Sequence, residues 1–175
     1  PYRAVAPANW SCDNPAPFWD SAEETWYVAC RTARHGIRAA KSLSGPWTQV
    51  GDAPIEPPAG AGTWTEDPYL YRDRSGHWHA LFHACNLNIF TNCGASPVSA
   101  HSFSRDLKTW RTLPAYVQPY SAVVLLEDGS SRTFATIERP KFFFDVQGRP
   151  TLLFNGAANV VSCQEGRLNK SCCDC

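Results

Sequence analysis

Residues 65–84 read TEDPYLYRDRSGHWHALFHA. Two acids, Glu66 and Asp67, stand directly before Pro68, and a β-rich run follows. Asp73 and Gly76 then bracket a turn that leads into a second β-rich run. An Asp that opens and a Gly that closes is the usual chemistry of a short hairpin loop. The same layout occurs at Asp13-Asn14-Pro15 through Asp20 and at Glu138-Arg139-Pro140 through Asp145. In each copy an acid stands two places before a proline, and an Asp follows that proline by five places across an aromatic-rich run. The prolines are expected at the first position of a strand, where no ladder donor is lost. Return strands are expected over residues 25–29, 77–83 and 151–154.

The first two copies continue in parallel. Residues 37–42 read as a third strand, Leu43-Ser44-Gly45-Pro46 as a turn and residues 47–50 as a fourth strand. Likewise residues 99–104 lead through Arg105 to Thr109 into residues 110–113. Four short antiparallel strands recurring roughly every 50 to 70 residues form the unit of a β-propeller blade. The expected fold is all-β: an incomplete propeller over residues 1–160, with blades at about 13–52, 66–114 and 138–157. That is about two and a half blades, since the third copy carries only its inner half. A Cys-rich tail occupies residues 161–175. A closed ring takes four blades or more, so the chain reads as a piece of a larger ring or as one that closes by pairing with itself.

The rest of the sequence narrows the function. Sixteen basic and sixteen acidic residues cancel among 175, with no block of like charge, so no nucleic-acid or membrane partner is expected. The longest apolar runs, residues 123–126 and 142–144, fall far short of a membrane span. Eight cysteines in this length point to an oxidising, extracellular or secretory setting. The sequons at Asn9 and Asn169 agree with it. Eight cysteines allow roughly a hundred pairings, with Cys85 and Cys93 the most natural local pair. The tail Cys172-Cys173-Asp174-Cys175 lacks the paired spacing of a zinc site.

In a propeller the first strands line a central channel and run the same way. Asp13, Glu66, Asp67 and Glu138 therefore open onto one rim. The return strands bring His83 beside Asp67, Asn155 beside Glu138 and Arg31 near Asp13. The loop carrying Asn86, Asn88, Phe90 and Asn92 overhangs the same face. Carboxylates, a His, amides and aromatic planes suit a sugar, and glycoside hydrolysis is the matching reaction: one carboxylic acid protonates the leaving oxygen while a second carboxylate activates water or attacks. Like charges held close push one pKa upward and keep that acid protonated. His77, His79 and His83 share one strand face, but they span roughly 20 Å at ~3.3 Å per residue, so no joint metal set is expected from them. Asp20, Asp73 and Asp145 are expected as turn formers, and Trp26, Trp47, Trp78 and Trp110 as packing between blades.

The motifs EDP at 66–68, ERP at 138–140, SLSGPW at 42–47 and SFSRDLKTW at 102–110 resemble blade motifs of five-bladed propeller glycosidases. That group comprises glycoside hydrolase family 43 with its arabinanase, levansucrase and invertase relatives. The resemblance spans residues 10–157. It implies a five-bladed ring and an oligo- or polysaccharide substrate. Glu138 is implied as general acid and Asp67 as the pKa-modulating or transition-state-stabilising Asp. The implied base falls on Asp13, or on a blade beyond this chain, or is missing from an inactive site, because Asn14 stands where the family carries Asp. Arg139 stands where the family has Gly, and a cation there pairs with a carboxylate and lowers its pKa. His83, Asn14, Glu66, Arg139 and Asn155 are the candidate substrate-binding residues. No cofactor is expected, apart from a central calcium ion that the resemblance alone allows. The rival readings are a non-catalytic carbohydrate-binding or scaffold propeller, and an inactive truncated fragment.

Overall fold

The computed structural model describes residues 12, 14–30, 36–51, 55, 56, 58, 59, 64–85, 99–134 and 136–158. These form twelve strands. The first sheet holds β1 (Ala16–Asp20), β2 (Thr25–Ala29), β3 (Ile37–Ala40) and β4 (Thr48–Gln49), paired antiparallel in chain order. The second repeats the pattern with β5 (Trp64–Arg72), β6 (Trp78–Cys85), β7 (Ser99–Ser104) and β8 (Arg111–Thr112). A small hairpin follows, β9 (Val123–Leu125) with β10 (Ser131–Thr133). The third repeat consists of β11 (Thr136–Phe144) and β12 (Pro150–Ala158) alone. Two four-stranded meanders and a two-stranded third are blades of an incomplete propeller.

The repeated turns fold as their residues dictate. Asp73 Oδ1 accepts the N–H groups of Ser75 and His77, each at 2.8 Å, and the Gly76 N–H returns to the Asp73 carbonyl at 3.0 Å. Asp145 does the same for Gln147, Arg149 and Gly148. Gly76 (φ 83°) and Gly148 (φ 71°) lie in the left-handed region, which glycine enters without a Cβ penalty. Asp20 instead caps the N–H groups of Ala22 and Glu23 and binds Arg72 of the second sheet at 2.5 Å, stapling the first two blades at this end.

The core lies between the sheets. Trp78, 3% exposed, meets Phe18 and Tyr27 of the first sheet edge-on, at centroid distances of 5.3 and 4.7 Å. Ala16, Ala29, Ile37, Leu70 and Leu107 complete that layer. On its other face, the second sheet turns Tyr69 and Tyr71 toward Phe142 and Phe144 of β11. Trp78 thus packs between blades, and Trp110 borders the same cluster. Trp26 lies against Trp19, rings tilted and centroids 5.1 Å apart, on the opposite face of the first sheet. Phe143, Leu152 and Phe154 of the two-stranded third sheet each stay more than half exposed.

One expectation changes. Pro68 and Pro140 do not begin strands, because β5 and β11 each start four residues earlier. Each proline instead sits at a bulge inside its strand, between the pairs Glu66–His83 and Tyr69–Leu81 or between Glu138–Gly156 and Lys141–Phe154. A bulge leaves one residue outside the ladder, so the missing proline N–H is harmless there. The disulfide in the described residues joins Cys12 to Cys30, which flank the β1–β2 hairpin. The Cys85–Cys93 pairing, the overhanging loop 86–92 and the Cys-rich tail lie outside the described residues.

Candidate active site

Each blade opening places the residue before its proline in the left-handed region: Asn14 at φ 48°, Asp67 at 47° and Arg139 at 54°. A residue before proline ordinarily adopts an extended conformation, and a non-glycine residue held at positive φ costs on the order of 1–3 kcal/mol. Such strain persists where the surrounding structure fixes it and the re-aimed side chain has a use. Here the re-aimed side chains meet. Asn14 Nδ2 donates to Asp67 Oδ1 at 2.7 Å, and Arg139 Nε approaches the same oxygen at 3.8 Å. Three blades therefore meet through three side chains at one point.

Glu138 precedes Arg139, so its counterpart in the second blade is Glu66 rather than Asp67. All three carboxylates are buried, at 3% exposure for Glu66, 5% for Asp67 and 6% for Glu138. Arg139 Nη1 stands 3.6 Å from Glu138 Oε2. Asn155 lies opposite the Arg139–Pro140 bulge and donates Nδ2 to the Glu138 carbonyl at 3.2 Å, which holds the bulge in shape. His83 faces Glu66 across the β5–β6 ladder. Donor atoms of Asp67, His83 and Glu138 all lie within 4.8 Å of one another.

The electrostatics follow from that crowding. Burial raises the Asp67 pKa, Arg139 and Lys141 oppose the rise, and the neighbouring Glu138 carboxyl adds to it. The expected lowering by Arg139 is present but outweighed. Asp67 Oδ2 is sealed from solvent and meets no N–H or O–H donor among the described residues. Burial also pulls the His83 pKa below its ordinary value, with Glu138 opposing, so its ring is neutral near pH 7.

The structure brings Asp67, Glu138, Glu66, His83, Asn14 and Arg139 to one rim, with Asn155 committed to the backbone beneath it. Asp13 and Arg31 lie outside the described residues. Lys141 escaped the sequence reading. Its ammonium lies 4.9 Å over the Tyr69 ring, and burial lowers its pKa against the pull of Asp67. The available signal was a lone lysine inside the apolar run Pro140-Lys-Phe-Phe-Phe144. A second hollow of about 570 Å³ lies away from these groups, toward the turn end of the second sheet. It is lined by His77, His79, Phe103, Arg105 and Arg111 among others.

The donor set also bears on the calcium ion that the family resemblance allows. Calcium takes six to eight oxygen ligands, whereas this cluster offers two carboxylates and an imidazole. Among the described residues this cluster does not fit that ion.

No described protein family and no curated protein matches the sequence. Solved structures do match the fold. The glycoside hydrolase family 43 protein YxiA from Bacillus licheniformis superposes with a TM-score of 0.50 at 17% identity, covering 79% of this chain and 33% of its own. An α-L-arabinanase of Cellvibrio cellulosa, solved with arabinohexaose, gives 0.52 at 14% identity, covering 78% of this chain and 42% of its own. The chain thus spans between a third and a half of the length of these structures. In fold it resembles part of a propeller glycosidase of the family 43 kind.

Proposed function

We propose that this chain carries the acid-bearing part of a glycoside hydrolase acting on an oligo- or polysaccharide in an oxidising, extracellular or secretory setting. The observation behind the reading is the buried Asp67–Glu138 pair where the blade openings meet. In the proposed mechanism Glu138 protonates the leaving glycosidic oxygen. Asp67 beside it offsets positive charge on the sugar as the bond breaks. The pair is too close for a sugar to sit between its members, so Asp67 is not the residue that attacks or activates water across the ring; those groups stand about 5 Å or more from the acid. That role is assigned to Asp13 or to a blade beyond this chain. Asn14 positions Asp67, and His83, Glu66 and Arg139 line the approach of the sugar hydroxyls. The Cys12–Cys30 bridge supports the oxidising compartment.

One observation favours a second reading, a carbohydrate-binding propeller without turnover. Asn14 and Arg139 hold the pair by hydrogen bond and ion pair, and neither is a base at neutral pH. A screen of the 175-residue chain against aryl glycosides separates the two. Hydrolysis predicts turnover that falls about 10²–10⁴-fold in Glu138→Gln. Glycan binding with no turnover in either protein supports the binding reading, and equal turnover by both removes Glu138 as the acid.

A further inference from the structure

Asp67 on β5, His83 on β6 and Glu138 on β11 come from three strands and two blades, yet their donor atoms lie within 4.8 Å of one another. Both carboxylates are at least nine-tenths buried. Asn14 Nδ2 holds Asp67 Oδ1 at 2.7 Å and fixes the plane of that carboxylate. The other oxygen, Oδ2, is buried and receives no N–H or O–H from the described residues. A carboxylate oriented by an amide on one oxygen and bare on the other is how proteins prepare a metal ligand. Donors on one ion at about 2.0–2.2 Å stand roughly 3–4 Å apart, so the three groups need to close by only about an ångström.

We propose that Asp67, His83 and Glu138 form a binding site for a divalent first-row transition ion, zinc by preference, with water completing the shell. One imidazole and two carboxylates suit zinc or manganese and give calcium too few oxygens. Arg139 is the built-in competitor. Its guanidinium is half exposed and stands 3.6 and 3.8 Å from the two carboxylates, close enough to neutralise them. An ion in this position occupies the carboxylates assigned above to proton donation, so metal and hydrolysis are alternatives at one site. The inference rests on the geometry of that site and not on any turnover.

The test titrates zinc, cobalt(II) and calcium into the full 175-residue chain by calorimetry, with no glycan present. Expected is one equivalent of zinc whose affinity drops by more than about 100-fold in His83→Ala and in Glu138→Gln, and by about 10-fold in Asn14→Ala. Arg139→Gln binds zinc more tightly than the parent. The cobalt form of this site shows no sulfur-to-metal charge-transfer band, which separates it from binding by cysteines. Zinc affinity unchanged in both His83→Ala and Glu138→Gln overturns the proposal. So does a thiolate band that accounts for all bound cobalt, or calcium binding tighter than zinc. Glu138→Gln preserves shape and keeps the test open should His83→Ala fail to fold. A chain that binds zinc and cleaves no glycoside upholds this site and sinks the hydrolytic reading; cleavage without zinc binding does the reverse.

Discussion

The two ends of the same hairpins put acids to opposite uses. At the turn end, Asp73 and Asp145 spend their oxygens on backbone N–H groups and on His79 or Arg149. Those bonds outweigh what burial there is and hold both carboxyls below the usual range. At the rim end, Asp67 is buried against a second acid and its pKa rises, with burial the larger cause. One amide and one loosely placed guanidinium are its described polar partners besides Glu138. An aspartate surrounded by donors is a fixed anion that shapes a turn. An aspartate buried against another carboxyl holds its proton to higher pH. The chemistry resides in the neighbours, since the residue type is the same.

That contrast is broken or sharpened by substitution. The largest effect is expected on turnover of aryl glycosides. Asp67→Asn lowers it by about 10²–10³-fold, the range of a lost electrostatic contact to the transition state, while Asp145→Asn leaves it unchanged. Asparagine tolerates the positive φ of position 67, so both variants fold and the comparison is of chemistry alone.

Next in size is the inter-blade core that sets the two ends in place. Trp78→Ala empties the space against Phe18 and Tyr27 and costs about 3–5 kcal/mol by denaturant unfolding. A loss under 1 kcal/mol would mean that the first two sheets do not pack as described.

The two ends also respond to pH in opposite senses. Beside the turn end, burial and the neighbouring His79 hold His101 down at about 4. Its neutral ring accepts or donates in the 2.9 Å contact with His79, which in turn reaches Asp73. A histidine whose folded pKa is depressed contributes stability that is complete above about 6.5 and is lost as pH falls toward about 4. The expected loss is on the order of 2–3 kcal/mol, and His101→Gln should flatten it. Asp67 has the reverse sign: its raised pKa gives stability that is present at low pH and lost as pH rises through the folded value. Melting curves from pH 3 to 8 on parent, His101→Gln and Asp67→Asn separate the two slopes.

The smallest effect is conformational. Arg139 sits at φ 54°, so Arg139→Gly relieves strain at the bulge, and a gain of about 1 kcal/mol is expected. Because it also removes a cation that opposes the rise, it should push the Asp67 pKa higher still.

Much of this was legible in the chain. The Asp-x-x-Gly turns and the strand order of the first two blades follow from local residue chemistry repeated at matching offsets. His83 reached the rim because strand alternation and an antiparallel return place it there. The bulges were not legible, since the residue before a proline ordinarily stays extended and nothing local in Glu66-Asp67-Pro68 signals a positive φ. Only the packing of three blade openings imposes it, through Asn14, Asp67 and Arg139. That same non-local packing decides that Glu138 aligns with Glu66 in its blade yet contacts Asp67 of the next. The Cys12–Cys30 bridge was hidden for a similar reason: pairing depends on hairpin register, which spacing alone does not give.

The claim on which the rest depends is that burial beside the Glu138 carboxyl raises the Asp67 pKa. Carbon-13 NMR titration of the labelled side-chain carboxyls, in the parent chain and in Glu138→Gln, measures it without any substrate. The account predicts that Asp67 titrates above the usual aspartate value of about 4, and at lower pH once Glu138 is replaced by an amide. An Asp67 that titrates at its ordinary value in both proteins would contradict it.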